Sequence, residues 1–365
     1  LTKKILIDKC FMDELGFENI KQKLTNKNEI SLTIAIPTLN SAETIHIPMR
    51  SIINQKKNKF KLQIVLLDSG SVDNTKRNFL QYGNKLNLLF KDIGKCSIGK
   101  ARNYAIELFE SDFLIFLDSD DALTVERLFC DYKVLNQNQN LSFIYGDSIQ
   151  INQKSFKKSY YCKASKISDK YQYLNIPYNL SSLTISRKFL LESNILFEKG
   201  KDGRLGEDWR FINEINNNSN AYLYISLPKV IINQREDSHT QDYLKCDLNF
   251  SKVDFLIKSF LKSKFQKNLL ICLFISFQIQ ASVILAILNI LKYTSPRKIK
   301  NILRNILKIL TLYKEISFLY IILNSIFLPT SIYFILFTHR SSIYSPLRKK
   351  LTYVQFKQYV SFLSN

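Results

Sequence analysis

The stretch 112-DFLIFLDSDDALT-124 decides how the rest of the chain is read. Five large apolar residues in succession, Phe113 to Leu117, describe a strand buried on both faces, the mark of a sheet covered by helices. The run stops at Asp118-Ser119-Asp120, where two carboxylates two positions apart at a fraying strand end can face one ligand. Hard oxygen donors at that spacing suit Mg²⁺ or Mn²⁺ bridging a diphosphate. Asp121 is expected to cap a helix beginning near Leu123.

Working outward, the same alternation of apolar runs and polar turns recurs. SLTIAIPTLN (31–40) reads as a buried strand stopped by Pro37, and Ser41 as the cap of a helix with Ile45, Met49, Ile52 and Ile53 at helical spacing. LQIVLLD (62–68) is a second buried strand, followed by the turn SGSVDNT. Ser97 opens a further helix that presents Ala101, Ala105 and Leu108 on one face. This is the pattern of an α/β fold with a mostly parallel central sheet flanked by helices. Such sheets bind ligands at the carboxyl ends of their strands. Those ends deliver Thr38 and Asn40, then Asp68 and Asp73, then Asp118 and Asp120, an acidic and polar cleft.

Five segments in order, IAIPTLN (34–40), VLLDSGSVDNT (65–75), SIGKARNYAI (97–106), FLIFLDSDDALT (113–124) and GEDW (206–209), resemble the family 2 glycosyltransferases of the GT-A, Rossmann-like fold. The resemblance covers roughly residues 31–240. It implies an inverting transfer of a sugar from a nucleotide-sugar donor, with UDP the expected carrier, to a glycan or lipid-linked acceptor. By the same resemblance Pro37, Thr38 and Asn40 line the nucleoside pocket and Asp68 accepts a hydrogen bond from the base. Gly99, Arg102 and Asn103 contact the donor, with a surface ion pair from Arg102 to Asp118 or Asp121 as the alternative. Asp118 and Ser119 touch ribose and sugar, and Asp120 chelates the divalent metal. Asp208, with Glu207 second, is the base that deprotonates the acceptor, and Trp209 is a wall for the acceptor sugar. Asp73 is expected to cap a helix, Arg235 to meet phosphate, and His239 to sit in a solvated turn. Leu39, where many members carry an aromatic, and Ser69, where they carry a second Asp, depart from the pattern.

Two rival functions share parts of it. A strand followed by DxD also opens haloacid-dehalogenase-type phosphotransferases, in which Asp118 would be the nucleophile. That pattern wants Thr or Val where this chain has Ala122. A non-catalytic glycan-binding or assembly protein could keep the same fold.

Composition bounds the remainder. The chain has 365 residues, 46% hydrophobic and 23% charged, with only 9 Gly and 7 Pro, so disorder and fibrous repeats are excluded. Six Cys without a CxxC pair and three scattered His indicate neither a zinc cage nor a disulfide framework, which predicts reduced thiols and a cytoplasmic body. The net charge of +21 is concentrated at the end, where residues 251–365 hold 17 Lys and Arg against 2 Asp and Glu. No aromatic-and-basic strand pattern or helix-turn-helix spacing accompanies it, so nucleic acid is not expected as a partner. Within this tail, 268–291 and 316–337 carry no Asp, Glu, Lys or Arg, and each is long enough to span a bilayer. The basic amphipathic stretch between them suits an anionic membrane surface. Association with the inner face of the membrane, two true spans, or a soluble helical cap are the three readings left open. The N-terminus lacks the apolar core and small-residue cleavage site of a signal peptide. The organisation expected is an extension at 1–30, a catalytic domain at 31–245 and a basic, hydrophobic helical tail at 246–365.

Overall fold

The computed structural model describes residues 29–56, 59–108, 110–155, 159–164, 178–197, 207–219, 221–234 and 348–364. The first half is a run of βα units: β1 (Ser31–Thr38), α1 (His46–Ile53), β2 (Lys61–Asp68), α2 (Thr75–Leu80), β3 (Leu88–Asp92), α3 (Ile98–Leu108) and β4 (Phe113–Phe116). These strands are parallel, in the order β3-β2-β1-β4. β1 and β2 carry near-continuous apolar runs because both their faces are covered. Leu32, Ile34 and Ile36 of β1 pack with Met49 and Ile52 of α1 and Phe79 of α2, whereas Ala35 turns to the opposite face with Ala101, Ala105 and Ile106 of α3. β3 is the sheet edge, and its largely exposed side chains account for its weak apolar signal.

The second half contributes β5 (Ala122–Leu123), α4 (Arg127–Gln137), β6 (Phe143–Ile151), β7 (Tyr160–Cys162), β8 (Thr184–Ser186), α5 (Arg187–Glu192), α6 (Glu207–Asn218) and β9 (Tyr222–Asn233). β8 joins β4 antiparallel and pairs with β6, so one sheet runs through both halves. β6 is flanked on its other edge by β9, which runs parallel to it and holds β5 in turn. The last described residues form β10 (Arg348–Lys350) and α7 (Tyr353–Ser364); β10 pairs antiparallel with β7. Residues 348–364, assigned from sequence to the tail, thus extend the sheet of the catalytic domain.

Four local expectations are corrected. Pro37 does not stop β1, which runs on to Thr38 opposite Asp68. The ladder to β4 ends at Ala35–Phe116, so Pro37 sits where no neighbour on that side asks for its missing N–H. Ser41 does not cap α1, whose N-cap is Ile45; the hydroxyl of Ser41 instead lies 2.9 Å from that of Ser119. Asp121 caps no helix: β5 follows it directly, and its carboxylate accepts the Asn233 N–H at 3.0 Å. One other cap expectation is met: Ser97 Oγ accepts from Lys100 N at 3.3 Å. The N-cap of α2 is Asn74 rather than Asp73, whose carboxylate accepts Thr75 N at 3.0 Å from one position earlier.

A buried ionic group ties α4 to the second half. Lys229 Nζ lies 2.7 Å from Asp131 Oδ1, Thr184 donates to Asp131 Oδ2 at 2.6 Å, and Arg127 donates to the carbonyls of Leu183, at 2.9 Å, and Ser181. Burial, resisted by Asp131, brings the Lys229 ammonium down to about 8. Gly146 makes room for it: a Cβ there would stand 2.7 Å from Lys229 Cδ and 2.8 Å from the Ile225 carbonyl. The β6–β9 register shifts at this point.

Among the described residues no helix is long and apolar enough to cross a membrane. The uncharged stretches 268–291 and 316–337, Arg235 and His239 lie outside the described residues.

Candidate active site

The carboxyl ends of β1, β2 and β4 finish side by side. Thr38 pairs with Asp68, and Leu117 N donates to the Ala35 carbonyl just before Asp118. Thr38 is buried, and its hydroxyl has no hydrogen-bond partner among the described residues. A buried hydroxyl left unpaired at a strand end calls for a ligand or a water.

The loops after β1 and β2 lock onto each other. Asp68, buried, accepts the N–H and hydroxyl of Ser71; Ser71 Oγ accepts Asn40 N at 2.8 Å, and Asn40 Oδ1 accepts Val72 N at 3.0 Å. Asn40 adopts φ 51°, a left-handed conformation that Asn tolerates better than most residues, and Gly70 provides φ 87° in the partner loop. Ser71 was not singled out from the sequence, although Asp followed three positions later by Ser is a familiar turn signal. Leu39 and Val72, both strongly exposed, flank this network.

Arg102 is the centre of the site. α3 brings it in buried, and its guanidinium donates from Nη2 to Asp118 Oδ1 at 2.9 Å and from Nη1 to Glu207 Oε1 at 3.1 Å. The Phe197 ring lies 5.3 Å from its Cζ. Burial works against its charge, but Asp118, Glu207 and Asp208 more than restore it, so its pKa is raised overall. The alternative of a surface ion pair is therefore met as to Asp118 and corrected as to exposure.

Glu207 and Asp208 open α6, with Glu207 buried and Asp208 partly exposed. Burial first, and the Asp208 charge second, lift the Glu207 carboxyl to about 7 against the pull of Arg102. Trp209 belongs to the same helix, but its side chain lies outside the described residues. Asp118, Ser119 and Asp120 form the partly exposed turn after β4, with Asp121 N donating back to the Asp118 carbonyl at 3.1 Å. Burial, then Asp120 and Asp118, hold the Asp121 carboxyl well above the usual range.

Gly99 is buried in the first turn of α3. Asn103 is not directed at a donor: its amide donates to the Phe197 carbonyl and accepts the Phe197 N–H, both at 2.8 Å. That double tie seats Phe197 beside Arg102. Among the described residues no three His, Cys, Asp or Glu side chains cluster as a metal cage. The turn offers two carboxylates, Asp118 and Asp120. One or two carboxylates completed by phosphate oxygens and water is the donor set that Mg²⁺ accepts, so these residues fit a cation arriving with a diphosphate.

Residues 33–193 match the family model described as Glycosyl transferase family 2. The poly(ribitol-phosphate) beta-N-acetylglucosaminyltransferase TarS of Staphylococcus aureus is 34% identical over 101 residues, 27% of this chain and 18% of that protein. TarP of the same species, which bears the same activity name, is 26% identical over 258 residues, 65% of this chain and 74% of TarP. Among solved structures, S. aureus TarS 1–349 in complex with UDP-GlcNAc superposes with a TM-score of 0.50 at 18% identity, covering 78% of this chain and 92% of that one. The chain thus spans less than a fifth of the TarS relative and about three quarters of TarP. The matched span holds the strand-end loops, the α3 arginine and the DSD turn, and Glu207–Asp208 follows just beyond it. The order of the motifs and the sheet agree with that match, which identifies residues 33–193 as a family 2 glycosyltransferase domain.

Proposed function

We propose that this chain is a metal-dependent, inverting glycosyltransferase that moves a sugar from a UDP-linked donor to a hydroxyl of a cell-surface polymer or lipid-linked glycan. The observation that carries the reading is the Asp118–Arg102–Glu207 bridge. It holds the donor turn and the base-bearing helix one guanidinium apart, although 89 positions separate them in sequence. TarS and TarP, named for glycosylating poly(ribitol-phosphate), support an anionic polyol-phosphate polymer as one acceptor class.

In this reading the uridine sits against the loops of Asn40 and Asp68, with Thr38 below it. Asp118 and Asp120 would hold a divalent cation, which when bound would supply charge neutralisation for the departing diphosphate. Asp208 takes the proton of the acceptor hydroxyl as its oxygen attacks the anomeric carbon. The C–O bond to the diphosphate breaks on the opposite face, so one displacement inverts the centre. Glu207, bound to Arg102, fixes the start of α6 and, with Arg102, the distance between base and donor.

The test is release of nucleotide by the full-length protein across a panel of nucleotide sugars with Mn²⁺ or Mg²⁺. One UDP-sugar is expected to turn over, with loss on chelation and in Asp120→Asn. UDP binding without turnover on any donor and acceptor would instead favour a non-catalytic glycan-binding protein, an aspartyl-phosphate on Asp118 the phosphotransferase, and absence of nucleotide binding would overturn the donor site.

The basic tail supports a place at the anionic inner face of the membrane. Full-length protein is then expected to sediment with anionic vesicles at low salt without detergent. Recovery in the supernatant would remove the membrane from this account.

A further inference from the structure

The turn that bears Asp118 and Asp120 is followed by a strand of only two residues, Ala122–Leu123. So short a strand has little stability of its own. What holds it is a small apolar cluster distinct from the two that line the faces of the sheet. It holds Ala122, Ile47, Ile149, Ile151 and Ile231, together with Leu351 and Phe356 from the far end of the chain. Leu351 is 4% exposed and Phe356 9%.

The segment carrying these two residues is built to stay in place. Arg348, Lys349 and Lys350 pair with Cys162, Tyr161 and Tyr160. Thr352 and Gln355 then form a reciprocal cap at the start of α7: Thr352 N donates to Gln355 Oε1 at 3.0 Å, and Gln355 N to Thr352 Oγ1 at 3.3 Å. A helix of this length depends on its docking, because isolated helices of about 12 residues are marginal in water.

We propose that residues 348–360 are a positioning element for the donor turn, with Phe356 and Leu351 acting through Ala122 to hold the Asp118–Asp120 carboxylates where a cation and diphosphate meet them. The path is short and covalent at its end. Phe356 and Leu351 pack in one cluster with Ala122; Ala122 pairs with Ile231; and Asp121, between Ala122 and Asp120, is bound through its carboxylate to Asn233 N. Loss of the apolar wedge frees β5 to shift, and the turn shifts with it. The family model ends at residue 193, so this support comes from outside the matched span.

The inference rests on the proposed donor site, and its test separates the two. Full-length wild type, Phe356→Ala, Phe356→Leu and Leu190→Ala are compared; Leu190 lies in a core cluster that holds neither Ala122 nor Leu123 and supplies a control for lost core packing. Two readouts are taken: Mn²⁺-dependent UDP affinity by calorimetry, and hydrogen exchange of the amides at 118–123 without ligand. Phe356→Ala is expected to weaken UDP binding at least tenfold and to speed exchange at 118–123 at least tenfold, while Phe356→Leu stays within about threefold of wild type. Leu190→Ala should leave both readouts within about threefold at a similar drop in melting temperature. Equal changes in Phe356→Ala and Leu190→Ala would overturn the proposal. If wild type binds no UDP, the donor reading falls, and exchange alone decides between the same two outcomes. Should Phe356→Ala fail to fold, Leu351→Val provides the same comparison with a smaller cut.

Discussion

Arg102→Met should lower the stability of the domain by about 3–5 kcal/mol and abolish sugar transfer, because it strands a buried carboxylate. The Arg102 side chain is 4% exposed and contacts Asp118 at 2.9 Å and Glu207 at 3.1 Å. Most of the cost falls on Glu207, whose side chain is 11% exposed, since Asp118 at 42% is screened by water. Without the guanidinium, the Glu207 carboxyl rises further above its present value of about 7. The loss should therefore be larger at pH 8, where the wild-type carboxylate is ionised and paired with the guanidinium, than at pH 5, where Glu207 is already protonated. Urea unfolding at the two pH values reads this directly, and an equal loss at both would show that the bridge contributes only packing. Arg102→Lys keeps the charge but not the planar fork that reaches two carboxylates at once, so it should recover part of the stability and little of the transfer.

Asp208→Asn should cut transfer by about 10²–10⁴, the range expected for removal of a general base. Burial and the Asp208 charge lift the Glu207 carboxyl to about 7, so the carboxylate that pairs with Arg102 forms as pH passes that value. Transfer by the wild-type protein is thus expected to rise with pH through about 7. Glu207→Gln removes that titrating group and should flatten the rise. Stability runs the other way. Folded Glu207 keeps its proton from 4.5 up to about 7 while the unfolded chain releases it, so its contribution is complete below 4.5 and declines as pH climbs through 7. Glu207→Gln should flatten that decline. A flat pH profile in the wild type would separate Glu207 ionisation from transfer, and Asp208→Asn retaining a tenth of the activity would reassign the base.

What the sequence disclosed follows from how local each signal was. The buried strands ending at Thr38, Asp68 and Asp118 announced themselves because both faces of the parallel sheet are covered, which leaves unbroken apolar runs. β3, exposed at the edge, and β5, two residues long, had no such run to offer. Arg102 stood out within its motif, yet its partner Glu207 lies 105 positions away, and no periodicity encodes that pairing. The resemblance of the α3 start to the family motif assigns Asn103 to the donor, whereas its side chain serves the Phe197 main chain. The Lys229–Asp131 pair was invisible for the same reason as Arg102–Glu207, although Arg127 and Asp131 stand four apart on one helix face. The Thr352–Gln355 cap was readable in principle, but a signal so small is eclipsed by the hydrophobic tail before it.

That return of the chain to its own sheet sets a rule of parity. β9 ends at Asn233 and β10 starts at Arg348, and only β6 and β7 lie between them, a span of about 15 Å at the usual strand spacing. Both ends of residues 235–347 are therefore moored on one side of any bilayer the protein meets. A stretch that leaves and regains the same side makes an even number of crossings, so a single crossing between Gln234 and Arg348 is inconsistent with this sheet. A stop codon placed after residue 245 would shear a strand from the enzyme along with its tail.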